Sequence, residues 1–232
     1  MLVDTGYGLR DVQHPHPRLL RIWRAVLNTR LREHDTALRQ IETLGYSPRD
    51  VRHIVLTHLD FDHAGGIEDF PGARLHVMQA ERDAAEHQRR SFVAQQRYRS
   101  LQWDDVRDWR TYAGRGEPWF GFDAVRSLDG LPPEILMVPL PGHTPGHAGV
   151  AVQTGARWLL HAGDAYLYGD QMNAERCGCP PGLRAYQNIM DTDRPARRAN
   201  QQRLRELKRA HAKEVRIFCS HDTSEWAELR RS

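Results

Sequence analysis

The stretch from Thr57 to Gly66 (T-H-L-D-F-D-H-A-G-G) concentrates side chains that bind divalent metals. It contains His58, Asp60, Asp62 and His63, which offer imidazole and carboxylate ligands. The stretch follows an apolar, β-branched run typical of a buried strand, and a strand end can aim neighbouring side chains into one cavity. A solvated acidic turn is the alternative. We favour a metal site because ligand-type residues recur after other predicted strands.

Three later strands are predicted to end in residues of the same chemistry. These residues are His143 after strand 135–140, Asp164 after strand 157–161 and His221 after strand 215–219. His143 lies in the loop P-G-H-T-P-G-H, where His147 is expected to support the ligands or to lie in the core, as is His161. In the first stretch, Gly65 and Gly66 are expected to permit close backbone approach and positive φ.

Strands and helices alternate without an internal repeat, so we predict a single domain over residues 1–232. Further strands are predicted at residues 51–56, 73–78 and 148–152. Helices are predicted from Arg18 to Leu31, from Thr36 to Leu44, and from Pro195 to about His211 after an Asp193 cap; a single turn is predicted at Ser47-Pro48.

Two segments are predicted to be insertions, near residues 10–35 and 79–122. The second is predicted to be helical to about Asp108 and then to form an aromatic loop over residues 114–122. Aromatic side chains of both segments are predicted to line a pocket for an apolar acyl or aromatic part of a substrate. These side chains are Trp23, Trp119, Phe120 and Phe122. Burial as loop anchors is the alternative for the last three.

Composition leaves a small-molecule substrate as the expected partner of this protein. Mean hydropathy is −0.68, and we expect neither a membrane span nor a signal peptide. The net charge of +3 comes from arginine spread along the chain, which argues against a nucleic-acid surface. Three cysteines form no even disulfide framework and favour a reducing cytoplasm, with Cys219 expected to be a small buried residue.

The order of these motifs resembles the metallo-β-lactamase superfamily, whose hallmark is H-x-H-x-D-H, followed by G-H, G-D and a late histidine. The resemblance extends from Asp4 to His221. It implies an α/β protein with a four-layer αββα sandwich and a dinuclear metal site between the two sheets. Superfamily members usually carry one or more strands before the D-T-G turn, which lies at the start of this chain. We therefore expect lost upstream strands, or coverage of that sheet edge by another segment or by a homodimer partner.

The resemblance also implies which residues bind each of the two metals. Carried over residue by residue, one metal takes His58, Asp60 and His143, the other takes Asp62, His63 and His221, and Asp164 bridges the two. Asp4, in the D-T-G turn, is implied to support this site from behind. Zinc is the metal most expected on purification. Asp60 replaces the family's second histidine, and this extra carboxylate suits Mn²⁺ or Fe²⁺ and should weaken Lewis acidity.

Two cations about 3.5–4 Å apart can hold a bridging hydroxide that attacks a carbonyl. We therefore predict a metallo-hydrolase that cleaves an ester-like bond in a lactone, a thioester or a carboxylic ester. The P-G-H-T-P-G-H loop is similar to those of N-acyl homoserine lactonases and glyoxalase II. In the lactonases a tyrosine shortly after the bridging aspartate contacts the substrate carbonyl. The candidate catalytic residues are Asp62, Tyr166 and Tyr168.

Two other classes of function stay open at this point. One is a di-iron redox protein related to the flavodiiron core, which has a glutamate at the place of Asp60. The other is a non-catalytic metal-binding module.

Overall fold

The computed structural model describes residues 1–19, 25, 28–87, 97–106, 108–114, 116–124, 128–173, 175 and 177–231. The chain forms two compact units: Met1–Val77 with Arg82–Thr111, and Met78–Glu81 with Tyr112–Ser232. Each unit has a four-stranded sheet and a buried apolar cluster of its own. The single domain over residues 1–232 stays a prediction.

The sheet of the first unit has the order β1-β2-β3-β4. Its strands are β1 Leu2–Val3, β2 His53–Val55, β3 Arg74–Met78 and β4 Trp109–Tyr112. The β1–β2 and β2–β3 pairs are parallel. Parallel strands are usually covered on both faces, and Ile54 and Val55 of β2 are indeed fully buried. The strands predicted at 51–56 and 73–78 are confirmed, whereas β4 was not predicted.

Short helices and 3₁₀ turns connect the strands of this sheet along the chain. They are α1 Leu9–Gln13, α2 Pro15–Arg18, α3 Ala37–Thr43, α4 Phe61–Ala64 and α5 Gln79–His87, with 3₁₀ turns at Glu33–Asp35, Pro48–Asp50, Ile67–Asp69 and Ser100–Gln102. The predictions for α3 and for the turn after Ser47 are confirmed: Thr36 and Ser47 cap them. Half of the helix predicted over residues 18–31 lies outside the described residues, and residues 29–31, which are described, belong to no helix.

The second unit contains the sheet of order β10-β9-β8-β7. Its strands are β7 Ile135–Pro139, β8 Ala148–Thr154, β9 Arg157–His161 and β10 Val215–Phe218. The β9–β10 pair is parallel and the other two pairs are antiparallel. All four strands were predicted. The unit also has α6 Pro181–Met190, α7 Arg194–Ala210 and α8 Thr223–Leu229, of which only α7 was predicted, and a 3₁₀ turn at Gly169–Met172.

The prediction of an aromatic loop over residues 114–122 was wrong. Residues Glu117–Trp119 (β5) and Phe122–Ala124 (β6) form an antiparallel hairpin. The turn residues Phe120 and Gly121 have φ of 44° and 81°, the signs of a type I′ turn, which usually carries Asn-Gly. Trp119 and Phe122 are buried in the core of the second unit, as the anchor alternative requires. Trp23 lies outside the described residues.

Helix length and hydropathy bear on membrane insertion. Among the described residues, no helix combines the length and apolar character needed to cross a bilayer.

Candidate functional site

The first ligand set, defined as His58, Asp60, Asp62 and His63, lies in the first unit where β2 leads into α4. Asp60 occupies the N-cap position of α4 with an extended backbone, and the helical turn that carries Asp62 and His63 begins directly after it. His58 Nε2 lies 3.5 Å from Asp60 Oδ2, and His63 Nε2 lies 3.9 Å from Asp62 Oδ1. The rings of His58 and His63 are 4.1 Å apart. The structure therefore brings together all four residues of this predicted set.

Asp4 orients both imidazoles of this set. Its Oδ1 accepts from the Thr57 backbone N–H at 2.8 Å, and its Oδ2 lies 2.7 Å from the Thr57 hydroxyl and 2.9 Å from His63 Nδ1. A carboxylate only accepts, so the Thr57 hydroxyl donates to Asp4 and is left to accept from His58 Nδ1 at 2.8 Å. Both rings then carry the proton on Nδ1 and present the Nε2 lone pair, which is the form that binds a metal.

The backbone of the D-T-G turn holds the same loop. Asp4 has φ of 53°, in the left-handed region that a non-glycine residue rarely occupies. The Thr5 hydroxyl donates to the His63 carbonyl at 3.0 Å and accepts from the Gly66 N–H at 3.1 Å. Gly65 and Gly66 do sit against this turn, but the prediction of positive φ was wrong: Gly65 is in the right-handed helical region and Gly66 has φ of −93°.

The second ligand set, defined as His143, Asp164 and His221, lies in the second unit at the ends of β7, β9 and β10. Asp164 Oδ2 lies 3.6 Å from His143 Nε2 and 3.2 Å from His221 Nε2. His143 and Asp164 are buried, while His221 is exposed. One carboxylate oxygen thus faces two imidazole nitrogens, which is a suitable arrangement for cations shared by these groups.

His147 fixes the position of Asp164. Its Nδ1 donates to the Leu140 carbonyl at 3.0 Å, and its Nε2 accepts from the Asp164 backbone N–H at 2.9 Å. The neutral ring makes both bonds at once because one nitrogen donates while the other accepts. His147 therefore ties the end of β7 to the loop after β9. This contact agrees with one of the two alternatives expected for His147, namely that it supports the metal ligands.

The loop P-G-H-T-P-G-H is held from two sides of the second unit. The Gly142 carbonyl accepts from the backbone N–H groups of Thr192 and Asp193 at 3.0 and 2.9 Å. Gly142 has φ of 140° and packs directly on the backbone of Arg197, where no side chain fits. On the other side, the fully buried Glu81 accepts from the Gly146 N–H at 3.1 Å. Glu81 was not singled out in the sequence.

The two candidate tyrosines have different surroundings. Tyr166 is fully buried, and its hydroxyl donates to Glu225 at 2.9 Å. Burial, with smaller effects from Cys219 and Glu225, raises the pKa of Tyr166 well above its usual value. Tyr168 is 37% exposed. Their catalytic roles stay predictions.

Burial also raises the pKa of the Cys219 thiol, which agrees with the expected buried place of that residue.

Arg97 is a site residue that the sequence did not reveal. Its Nε lies 2.7 Å from Asp60 Oδ1, and both side chains are buried. Arg97 lies in the charged segment after α5, where the apolar residues form no clean stripe, so nothing local distinguishes it from its neighbours. The pairing becomes visible only once the chain is folded.

The chemistry of the donor groups fits a divalent metal. The imidazoles of His58 and His63 are fixed through Nδ1 with Nε2 on the side of a carboxylate, and those of His143 and His221 have Nε2 near Asp164. Imidazole with carboxylate suits zinc, manganese and iron. Four histidines and three carboxylates therefore supply enough donors for two such ions.

The family model described as the metallo-β-lactamase superfamily matches residues 1–231. The chain belongs to this superfamily. A "probable metallo-hydrolase" of Mycobacterium tuberculosis is 44% identical over 222 residues, which cover 96% of this chain and 70% of the relative. An N-acyl homoserine lactonase of Bacillus cereus is 23% identical over 164 residues, which cover 69% of this chain and 56% of the lactonase.

Solved structures of metallo-β-lactamase-fold lactonases match as well. An N-acyl homoserine lactone hydrolase with N-hexanoyl-L-homoserine at its catalytic metal centre has a TM-score of 0.68 and 22% identity, covering 98% of this chain and 78% of its own. AidC, a dizinc quorum-quenching lactonase, has a TM-score of 0.59 and 18% identity, covering 96% of this chain and 68% of its own. These matches confirm the predicted α/β class and metallo-β-lactamase fold.

Proposed function

We propose that this member of the metallo-β-lactamase superfamily is a dinuclear metal-dependent hydrolase that opens a lactone. At the coarser level the chain is a metallo-hydrolase, the enzyme class that its family and its mycobacterial relative share. The observation that carries the dinuclear part of the proposal is the pair of ligand sets: each is pre-oriented by buried hydrogen bonds behind it, through Asp4 in the first unit and His147 in the second. Such supporting bonds are typical of metal sites.

We propose that the ligands are divided between two metals in the way that the family resemblance implies. One metal would bind His58, Asp60 and His143, the other would bind Asp62, His63 and His221, and Asp164 would bridge them. When bound, two divalent ions polarise a substrate carbonyl and lower the pKa of water. Two divalent ions are supported by the family and by the dizinc lactonase neighbour. We propose zinc as the metal found on purification, with Mn²⁺ or Fe²⁺ as alternatives.

The chain's own residues prepare this chemistry before any substrate binds. Asp4 and Thr57 keep the His58 and His63 rings in one tautomer and one orientation. His147 holds the backbone of Asp164, so that its carboxylate stays near His143 and His221. Preorganised groups of this kind cost little reorganisation during reaction. Asp62, which is half-buried, is proposed to take part in catalysis as a ligand of the metal.

Of the two tyrosines, Tyr168 is the better candidate for contact with the substrate. The Tyr166 hydroxyl already donates to Glu225 inside the core of the second unit, and its raised pKa opposes ionisation. Tyr168 is partly exposed and lies four residues after Asp164. We propose that the Tyr168 hydroxyl donates to the carbonyl oxygen of the substrate.

The proposed substrate class follows from the lactonase relatives, together with the resemblance of the P-G-H-T-P-G-H loop to that of N-acyl homoserine lactonases. The test is a panel of a lactone, a thioester, an aryl ester and a phosphotriester, assayed with protein of known metal content. We expect the lactone to have the highest kcat/KM, by about tenfold or more, which corresponds to about 1.4 kcal/mol of transition-state stabilisation. Preference for the thioester would replace the lactone assignment, and hydrolysis of none would contradict the proposed reaction.

Tyr168→Phe, with Tyr166→Phe as the matched variant, separates the two tyrosines in the same assay. We expect Tyr168→Phe to lower kcat more than KM changes, by about tenfold, because one hydrogen bond to the reacting carbonyl is lost. Tyr166→Phe should instead lower thermal stability. The reverse pattern would assign the substrate contact to Tyr166.

A further inference from the structure

Arg97 is the largest fully buried side chain among the described residues, with 1% of its surface exposed. Arginine is rarely buried to this extent unless a carboxylate compensates its charge. That carboxylate is Asp60, itself 3% exposed, whose Oδ1 lies 2.7 Å from Arg97 Nε. The two charges therefore form a buried ion pair within the first unit.

Asp60 is also where this chain departs from the H-x-H-x-D-H pattern, since the pattern has histidine at that position. A histidine ligand would bring no charge, whereas Asp60 brings one negative charge. Its Oδ2 lies 3.5 Å from His58 Nε2, so the oxygen that does not face Arg97 lies on the side of the metal ligands. The guanidinium of Arg97 supplies the opposite charge.

We propose that Arg97 is a positioning residue for Asp60, and that the Asp60–Arg97 pair acts as a charge-neutral substitute for the missing histidine ligand. Arg97 holds Oδ1, so that Oδ2 alone is directed towards His58 and a bound metal. This inference rests on the proposed function. It also replaces the expectation from the sequence that the extra negative charge of Asp60 would weaken Lewis acidity, because the paired guanidinium offsets that charge.

The test is a set of variants in the full chain: Arg97→Met, Arg97→Lys, Asp60→His and the double variant Asp60→His/Arg97→Met. Zinc stoichiometry and affinity are measured by competition with a chromophoric chelator, and the midpoint of thermal unfolding is measured on metal-free protein. Arg18→Met is the matched control. Arg18 is another buried arginine of the first unit, and it pairs with Asp11 at 2.6 Å and with Glu68.

We expect Arg97→Met to weaken the affinity for one zinc ion by about 10–100-fold, the usual effect of removing a partner of a metal ligand. Arg97→Lys should lie between Arg97→Met and the wild type, because lysine keeps the charge without the planar fork. The double variant should recover affinity to within about threefold of the wild type, since coupled residues do not add. Arg18→Met should lower the unfolding midpoint while zinc affinity stays unchanged.

Equal zinc affinity in the wild type, Arg97→Met and Arg97→Lys would overturn the positioning role while leaving the proposed function intact. Additive losses in the double variant would overturn the substitution for histidine. If Arg97→Met does not fold, the comparison of Arg97→Lys with the double variant decides the same two points. A wild-type protein that takes up no metal would overturn both this inference and the proposed function.

Discussion

The two ligand sets are built in different ways. The first set comes from one short stretch, in which a single turn after β2 delivers His58, Asp60, Asp62 and His63. The second set collects His143, Asp164 and His221 from three strand ends that are far apart in sequence. The supports differ accordingly. A side-chain carboxylate, Asp4, orients the rings of the first set, whereas an imidazole, His147, holds the backbone of the second.

This difference teaches where each set is vulnerable. The spacing of the first set is fixed by local backbone geometry, so its weak point is ring orientation, which depends on a residue more than fifty positions earlier. The spacing of the second set depends on three loops that come from separate parts of the chain. We therefore expect that the loss of Asp164, which lies near both histidines of the second set, disturbs that set more than the loss of any single residue disturbs the first.

The largest effect is expected from Asp164→Ala. Its carboxylate lies near both histidines of the second set and is proposed to touch both metals, so the variant should lose more metal than His143→Ala. We expect kcat/KM to fall by well over 100-fold, beyond the 10–100-fold typical of residues behind the ligands. Metal analysis and lactone kinetics on both variants check this order. If Asp164→Ala keeps as much metal as His143→Ala, the carboxylate does not bridge.

Asp4→Ala should have the next largest effect, through the first set alone. It removes three contacts, to the Thr57 N–H, the Thr57 hydroxyl and His63 Nδ1. We expect about 10–100-fold weaker metal affinity. We also expect about 1–3 kcal/mol of lost stability, measured by denaturant unfolding of the metal-free protein.

Asp4→Asn is the control for backbone strain at Asp4, because asparagine tolerates the positive φ at that residue. It should keep most of the stability but lose affinity, since an amide carries no negative charge and has one acceptor oxygen where the carboxylate has two. Unchanged affinity in both Asp4 variants would show that the rings of the first set need no such support.

His147→Ala should weaken metal affinity less than Asp4→Ala does, and only through the second set. The variant removes the acceptor of the Asp164 N–H and the donor to the Leu140 carbonyl, which costs about 1–3 kcal/mol for each buried group left without its bond. His147→Gln, which keeps a donor and an acceptor, should recover part of that loss. Denaturant unfolding and metal titration of both variants make the measurement, and equal stability of the alanine variant and the wild type would contradict the role.

Thr57→Val should have the smallest effect of the four. Valine keeps the shape and the backbone N–H to Asp4 but removes the hydroxyl that links Asp4 to His58. We expect about 1 kcal/mol of lost stability and a loss of metal affinity well below that of Asp4→Ala. Thr57→Ser keeps the hydroxyl and should resemble the wild type. A larger loss in Thr57→Val than in Asp4→Ala would reverse the order of support.

The same contrast explains which parts could be predicted from the sequence. The first set and the strands that carry the second could be read locally, because hydrophobic runs end directly in ligand residues such as His58 and His143. The role of Asp4 was implied by the resemblance of its D-T-G turn to that of the superfamily. The structure adds the contacts of Asp4 with Thr57 and His63. The order of motifs also allowed His143, Asp164 and His221 to be grouped, although spacing alone could not have joined them.

Other features had no local signal. The β5–β6 hairpin turns at Phe120-Gly121 instead of a typical Asn-Gly, so aromatic residues at a turn were interpreted as a loop. Arg97 and Glu81 act through long-range contacts with Asp60 and Gly146, and charged residues in a charged segment look like a solvated surface. Buried polar partners of this kind are set by tertiary packing, which periodicity does not report.

The most direct test of the central claim is the metal-to-protein ratio, measured by inductively coupled plasma mass spectrometry after chelation, reconstitution with zinc and removal of excess metal. The claim is that the two ligand sets together hold two ions. The account predicts two equivalents per chain for the wild type and less than one for Asp164→Ala. A wild-type protein with one equivalent or none, or an Asp164→Ala variant that keeps two, would contradict it.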